Sequence, residues 1–246
     1  SRHVFAEARG RHQVVFHVDI LASALFMLSR WEETVVLDRD SHDRFPAVAS
    51  TAYRQSFLDR PIIDEYALIL REWIKVLAPG WEPLPKRFAV KLSHDVDATR
   101  LFATPKQALR SLAADLVRHR DCARAQRSSL GLLSQTGFAA LDPCARGLKQ
   151  LSTVSSTNGF RNDTFYLMAA TPAQYDQGYS LDTAWFRKTV VNLRNVGFET
   201  GLHPSYATVD RPDLLKKERL RLTEWLGTEV PSARQHYLRF RVPDTW

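Results

Sequence analysis

The sequence predicts an α/β fold in two parts: a smaller accessory α/β domain over residues 1–85, then a domain of alternating strands and helices over residues 86–246. Three observations carry this. Two segments before residue 80 place apolar residues at helical spacing. Pro83-Leu84-Pro85 reads as a linker. After it, short apolar runs alternate with amphipathic stretches, the pattern of a parallel sheet or a barrel of βα units.

In chain order, Asp19 is placed to cap a helix over 19–33, with Ile20, Ala24, Met27, Leu28 and Trp31 on one face. A second helix runs from Pro61 to Leu77, with proline in its first turn and Ala78-Pro79-Gly80 ending it. Phe88–Leu92 predicts a strand. Thr104–His119 predicts a helix with Leu109, Leu112, Ala113, Leu116 and Val117 facing inward. Thr164–Ala169 is a strand, Leu181–Asn195 a helix ended by Gly197, and Phe198–Leu202 a strand. Pro212–Trp225 is a helix closed by Gly227, and a last extended run begins near Val230. Asp43-Arg44-Phe45-Pro46 reads as a turn, and Lys216-Lys217-Glu218-Arg219 as a solvated helix face.

The composition, with 246 residues, 44% hydrophobic and 25% charged, is that of a globular chain and excludes disordered and collagen-like classes. Cys122 and Cys144 form no disulfide framework and fit no metal-site spacing, so they read as reduced thiols. No stretch approaches the roughly eighteen apolar residues of a membrane span. No basic-then-apolar leader is visible, which favours the cytoplasm, although a chain running from Ser1 to Trp246 reads as cut at both ends.

The net charge of +7 is concentrated. Residues 98–150 hold nine Lys or Arg and three Asp or Glu, and 9 − 3 gives +6. This segment is longer than a βα crossover needs and predicts a basic helical insertion. Its arginines could meet an anionic polysaccharide or a membrane surface, with a solvated face as the plainer expectation. No nucleic-acid motif accompanies the charge and no aromatics interleave it, so no nucleic-acid partner is expected.

Three polar clusters share a position. Ser93-His94-Asp95-Val96-Asp97 follows the first strand of the second part, His203-Pro204-Ser205-Tyr206 follows the strand ending at Leu202, and Arg234-Gln235-His236-Tyr237 lies in the last extended run. In parallel βα architectures the carboxyl ends of the strands share one face, so these clusters are expected to converge there. Two acids, several histidines and an arginine on one rim are the parts of a metal-assisted hydrolase. In Asp-Val-Asp, one carboxylate can ligate a cation while its neighbour acts as a base.

Leu92-Ser93-His94-Asp95-Val96-Asp97, Glu199-Thr200-Gly201-Leu202-His203-Pro204-Ser205 and Arg234-Gln235-His236-Tyr237 resemble, in order, the first three motifs of the NodB-homology polysaccharide deacetylases, carbohydrate esterase family 4. The resemblance covers roughly residues 86–246. Asp163-Thr164-Phe165-Tyr166-Leu167 resembles the family's second strand. Phe26–Glu33 and Arg60–Tyr66 resemble an accessory domain fused ahead of some bacterial members. The resemblance implies a distorted (β/α) barrel, here partial, with a divalent metal, usually zinc, at the strand ends. It implies Asp95 as general base, Asp97 and His203 as metal ligands, Arg234 orienting the base, and the backbone N–H of Tyr237 in the oxyanion hole. The implied reaction removes acetyl groups from the N-acetylated sugars of a polysaccharide. Ala207 stands where the family's second motif usually has another histidine, so His236 is assigned as third ligand, with His94 the weaker candidate. The family's general-acid histidine would lie beyond Trp246. A saccharide-binding or assembly module that kept the fold without the activity is the alternative reading, and Ala207 favours it.

Overall fold

The structure, a computed structural model, describes residues 4–245. The chain divides into two compact units, Ser1–Phe88 together with Arg239–Trp246, and Ala89–Leu238. The sequence reading drew its boundary at residue 85 and left the C-terminal stretch in the second part. In the structure Arg239 donates to the carbonyl of His42 at 3.0 Å, Arg241 binds the Asp43 carboxylate at 2.5 Å, and Arg30 lies over the Phe240 ring at 4.4 Å. These contacts tie the stretch to the first unit.

The first unit opens with an antiparallel hairpin of β1 (Ala6–Ala8) and β2 (Val14–Phe16). Helix α1 (Ile20–Leu28) starts where expected, with the Asp19 carboxylate accepting the N–H of Ala22 at 2.8 Å. It ends earlier than expected, because Arg30 takes a left-handed conformation, and α2 (Glu32–Val35) follows as a separate turn. Leu28 and Trp31, expected on the buried face, are exposed. After α3 (Thr51–Arg54), α4 (Ile62–Leu77) fills the predicted span. Phe5 stacks on Tyr66 and Phe16 meets Trp73 edge-on, so aromatic rings hold the hairpin against α4.

The second unit is built on a parallel sheet of β3 (Ser93–Val96), β4 (Thr164–Leu167) and β5 (Glu199–Leu202), in that order, with β4 central. The register pairs Ser93 with Thr164 and Thr164 with Glu199. A parallel bridge from Leu202 to Ala233 extends the sheet by one residue. Among the described residues the sheet does not close into a barrel. The first strand lies later than expected. Only Leu92 of the Phe88–Leu92 run reaches β4, accepting the N–H of Thr164, so pairing starts at Ser93 and the motif residues are themselves in the strand. The expected last extended run shrinks to the bridge at Ala233, because the chain turns over His236–Leu238 with Tyr237 and Leu238 left-handed.

Between β3 and β4 lie α5 (Pro105–Ala114), α6 (Cys122–Ser134) and α7 (Pro143–Thr157), the expected insertion. Thr104 and Gln107 form a capping box at the start of α5. The buried face is not the leucine stripe: Leu109, Leu116 and Val117 are 54%, 56% and 77% exposed. The buried residue of α5 is Ala108, and those of α6 are Ala125, Ser128, Gly131 and Ser134. A Cβ at Gly131 would sit 2.8 Å from the ring of Phe102, in the loop before α5, so glycine permits that close approach. Asp142, fully buried, ties the insertion to the loop after β3. Its carboxylate accepts from Leu101 N–H at 3.0 Å, Ser134 hydroxyl at 2.8 Å and Cys144 N–H at 2.9 Å.

Helix α8 (Ala184–Val196) connects β4 to β5, and α9 (Pro212–Leu226) follows β5. Each ends at a left-handed glycine, Gly197 and Gly227. Phe165, Leu167, Phe186, Val190, Leu193, Phe198, Leu202 and Leu222 form the core between sheet and helices. Burial of this apolar surface is the main favourable term holding the strand ends in register. No helix among the described residues is long and apolar enough to cross a membrane.

Candidate metal centre

The strand ends place the polar clusters together. Asp97 lies one residue past β3. His203 lies one past β5, its N–H donating to the carbonyl of Leu167 at the end of β4. The backbone N–H of His236 donates to the carbonyl of Pro204, bringing the third cluster over the second. Nε2 of His203 is 3.0 Å from Oδ1 of Asp97, and Nε2 of His236 is 3.7 Å from the same oxygen. One donor atom from each residue lies within 4.8 Å of the others. Tetrahedral zinc, with ligands about 2.0–2.2 Å away, needs donors separated by roughly 3.3 Å. The two distances from Asp97, 3.0 and 3.7 Å, lie on either side of that value, so these are residues that could hold a cation.

Each imidazole is oriented through its other nitrogen. Nδ1 of His203 lies 2.6 Å from the carbonyl oxygen of Arg234, which can only accept, so Nδ1 carries a proton and Nε2 is the nitrogen turned to Asp97. Nδ1 of His236 lies 2.9 Å from Oδ1 of Asp176, a buried residue that also accepts the N–H of Tyr206. A histidine ligand held through its second nitrogen by a carbonyl or a carboxylate is the usual arrangement around protein-bound metals.

Burial disfavours charge on His203, but hydrogen bonds to Asp97 and to the Arg234 carbonyl, with the charges of Asp95 and Asp97, raise its pKa above the ordinary value of 6.5. The hydrogen bond from His203 lowers that of Asp97, against a smaller opposing effect of burial. Both shifts favour the charged forms of the pair, imidazolium and carboxylate.

Asp95 and Ser93 project to one face of β3, and Arg234 binds both: its guanidinium reaches Oδ1 of Asp95 at 3.0 Å and hydrogen-bonds the Ser93 hydroxyl. The guanidinium lies over the Tyr166 ring at 4.6 Å. Gly201, the register partner of Tyr166, makes room for that ring: a Cβ there would be 2.6 Å from it. His94 projects to the opposite face. It packs on Phe165 at 4.7 Å and lies 3.5 Å from the buried carboxylate of Asp163, so it is not among the gathered donors. Tyr237 sits in the left-handed turn beside His236, and its ring joins Tyr175 and Tyr206 in an aromatic cluster.

Sequence reasoning missed two acids. Asp176 lies in the loop after β4, and its position past a strand end was the available signal. Glu218 was read as part of a solvated face. It is buried instead, accepting the N–H and hydroxyl of Ser205 at 2.9 and 2.5 Å, and burial raises its pKa. It fixes the loop that follows His203. Gln235 braces the same loop by donating to the carbonyl of Ser205.

Comparison with known proteins bears on the other unit. Residues 2–79 match a family of unknown function, DUF7033. No curated protein and no solved structure matches the chain.

Proposed function

We propose that the second unit is a metal-dependent deacetylase acting on N-acetylated sugars of a polysaccharide, with Asp97, His203 and His236 as ligands of a divalent cation, zinc above all. The observation that carries this reading is the convergence of these three donors beside an Asp95 carboxylate held by Arg234. The motif resemblance supplies the substrate class, and the donor geometry supports the cation. Ala207 favours an inactive binding module; the nearness of His236 to Asp97, at 3.7 Å, supports His236 as the third ligand instead.

A divalent cation bound there would polarise the acetamide carbonyl and acidify a water. Asp95 accepts the proton of the attacking water. Arg234 fixes its carboxylate in place, so the base need not reorganise during reaction. The backbone N–H of Tyr237 belongs to the same rim and is assigned to the oxyanion. His203 and His236, oriented through their Nδ1 atoms, would hold such a cation by their Nε2 atoms. The tyrosines beside His236 offer apolar faces to a sugar ring.

The test is a zinc titration combined with acetate release from N-acetylated oligosaccharides by the full chain. Binding of one zinc that is lost in His236→Ala, with acetate release that depends on it, is the expected outcome. Unchanged zinc affinity in that variant refutes the ligand assignment. Glycan binding without zinc binding or acetate release favours the binding module.

A further inference from the structure

A cleft of about 590 Å³ lies between the loop after β3 and the loop after β4. That is within the size range of small-molecule sites, and it sits at the strand ends where parallel α/β sheets bind ligands. Ala98, on its wall, directly follows Asp97. Tyr179, also on its wall, is close enough to Asp97 for that charge to raise the phenol's pKa, after the larger effect of burial.

The lining has a consistent polarity. Among the described residues, no aspartate or glutamate lines the cleft. Arg100 does, half-buried, and among the described residues no carboxylate lies within ion-pairing distance of it. The contact shown for its guanidinium is Gln135 Oε1 at 3.4 Å. The Oε1 of Gln107 is taken by the N–H groups of Ala103 and Thr104, which leaves its NH₂ as the end to offer a ligand. Ser180 Oγ accepts from Asp182 N–H, so its own proton is available. The Thr183 hydroxyl has no hydrogen-bond partner. The cleft therefore presents donors and one uncompensated positive charge.

We propose that this cleft binds an anionic group, a carboxylate or a phosphate, carried by the glycan whose acetamide reaches Asp97, with Arg100 as the selecting residue. The assignment of that glycan rests on the deacetylase reading. The anion site itself rests on the cleft.

The experiment is calorimetric titration of the full chain with N-acetylglucosamine, its 6-phosphate and glucuronic acid, with zinc affinity measured in parallel. At least about tenfold tighter binding of one or both anionic sugars than of the neutral one is expected, shrinking with added salt. Comparison of the two anionic probes separates phosphate from carboxylate. Arg100→Gln should remove the preference and leave zinc affinity unchanged. Thr183→Val, a milder change, should weaken it. Equal affinity for neutral and anionic sugars, or a preference that survives Arg100→Gln, overturns the proposal. Anion preference in a chain that neither binds zinc nor releases acetate supports the cleft and refutes the deacetylase reading alone.

Discussion

His236 turns Nδ1 to the buried carboxylate of Asp176 at 2.9 Å and Nε2 to Asp97 at 3.7 Å. The hydrogen bond at Nδ1 fixes which way the ring turns its Nε2. On the proposed ligand set, Asp176 is therefore a positioning residue for His236. Asp176→Asn, which keeps the size and one acceptor, should lower zinc affinity by about 10–100-fold while far-UV circular dichroism stays unchanged. A folded Asp176→Asn protein with the parent's zinc affinity would show that His236 needs no such partner.

The raised pKa of His203 makes zinc binding pH-dependent. A cation needs the neutral Nε2, so below the raised value binding must expel a proton. Affinity should fall as pH drops through that value, about tenfold per unit, and level off above it. In the zinc-free protein the sign is opposite. The raised pKa contributes stability fully present below the unfolded value of about 6.5, and lost as pH rises through the folded one. Zinc competition from about pH 5.5 to about 8.5, with thermal melts of the apo protein, measures both. A flat affinity profile would show that zinc binding expels no proton from His203.

Gly201 supports the position of Asp95 at a distance. A methyl group there would press on Tyr166, whose ring carries the guanidinium that holds Asp95. Gly201→Ala should cost about 1–3 kcal/mol by overpacking and lower acetate release more than it lowers zinc affinity. Urea denaturation and the two functional assays separate these effects. Full turnover in Gly201→Ala would remove the ring from the chain of support.

Asp142 joins the loop after β3 to the insertion through buried hydrogen bonds. Asp142→Ala leaves several donors without acceptors, at ~1–3 kcal/mol each, and should destabilise the unit by about 3 kcal/mol. Asp142→Asn, retaining an acceptor, should cost less. Equal urea midpoints for the alanine variant and the parent would contradict the role.

What the sequence conveyed followed from local rules. Periodicity located α4 and α9, and short motifs named Asp97, His203 and His236 because each lies at or just past a paired segment. What it could not convey depended on partners. The leucine stripe of α5 is as periodic as a core face, yet Leu109 is exposed and the buried residue of α5 is Ala108. Phe88–Leu92 has a strand's composition, but a strand needs a neighbour, and β4 begins opposite Ser93. Asp176 and Glu218 act through loops whose paths no periodicity encodes.

Arg234 serves the site twice, by different means. Its side chain holds Asp95, whereas its main-chain carbonyl holds His203. Every amino acid brings the carbonyl, and only arginine brings this fork. Substitution at position 234 thus releases Asp95 and leaves His203 anchored. On the proposed deacetylase reading, a descendant that lost this one side chain would go on loading metal while turning nothing over, a silent holder on an intact scaffold.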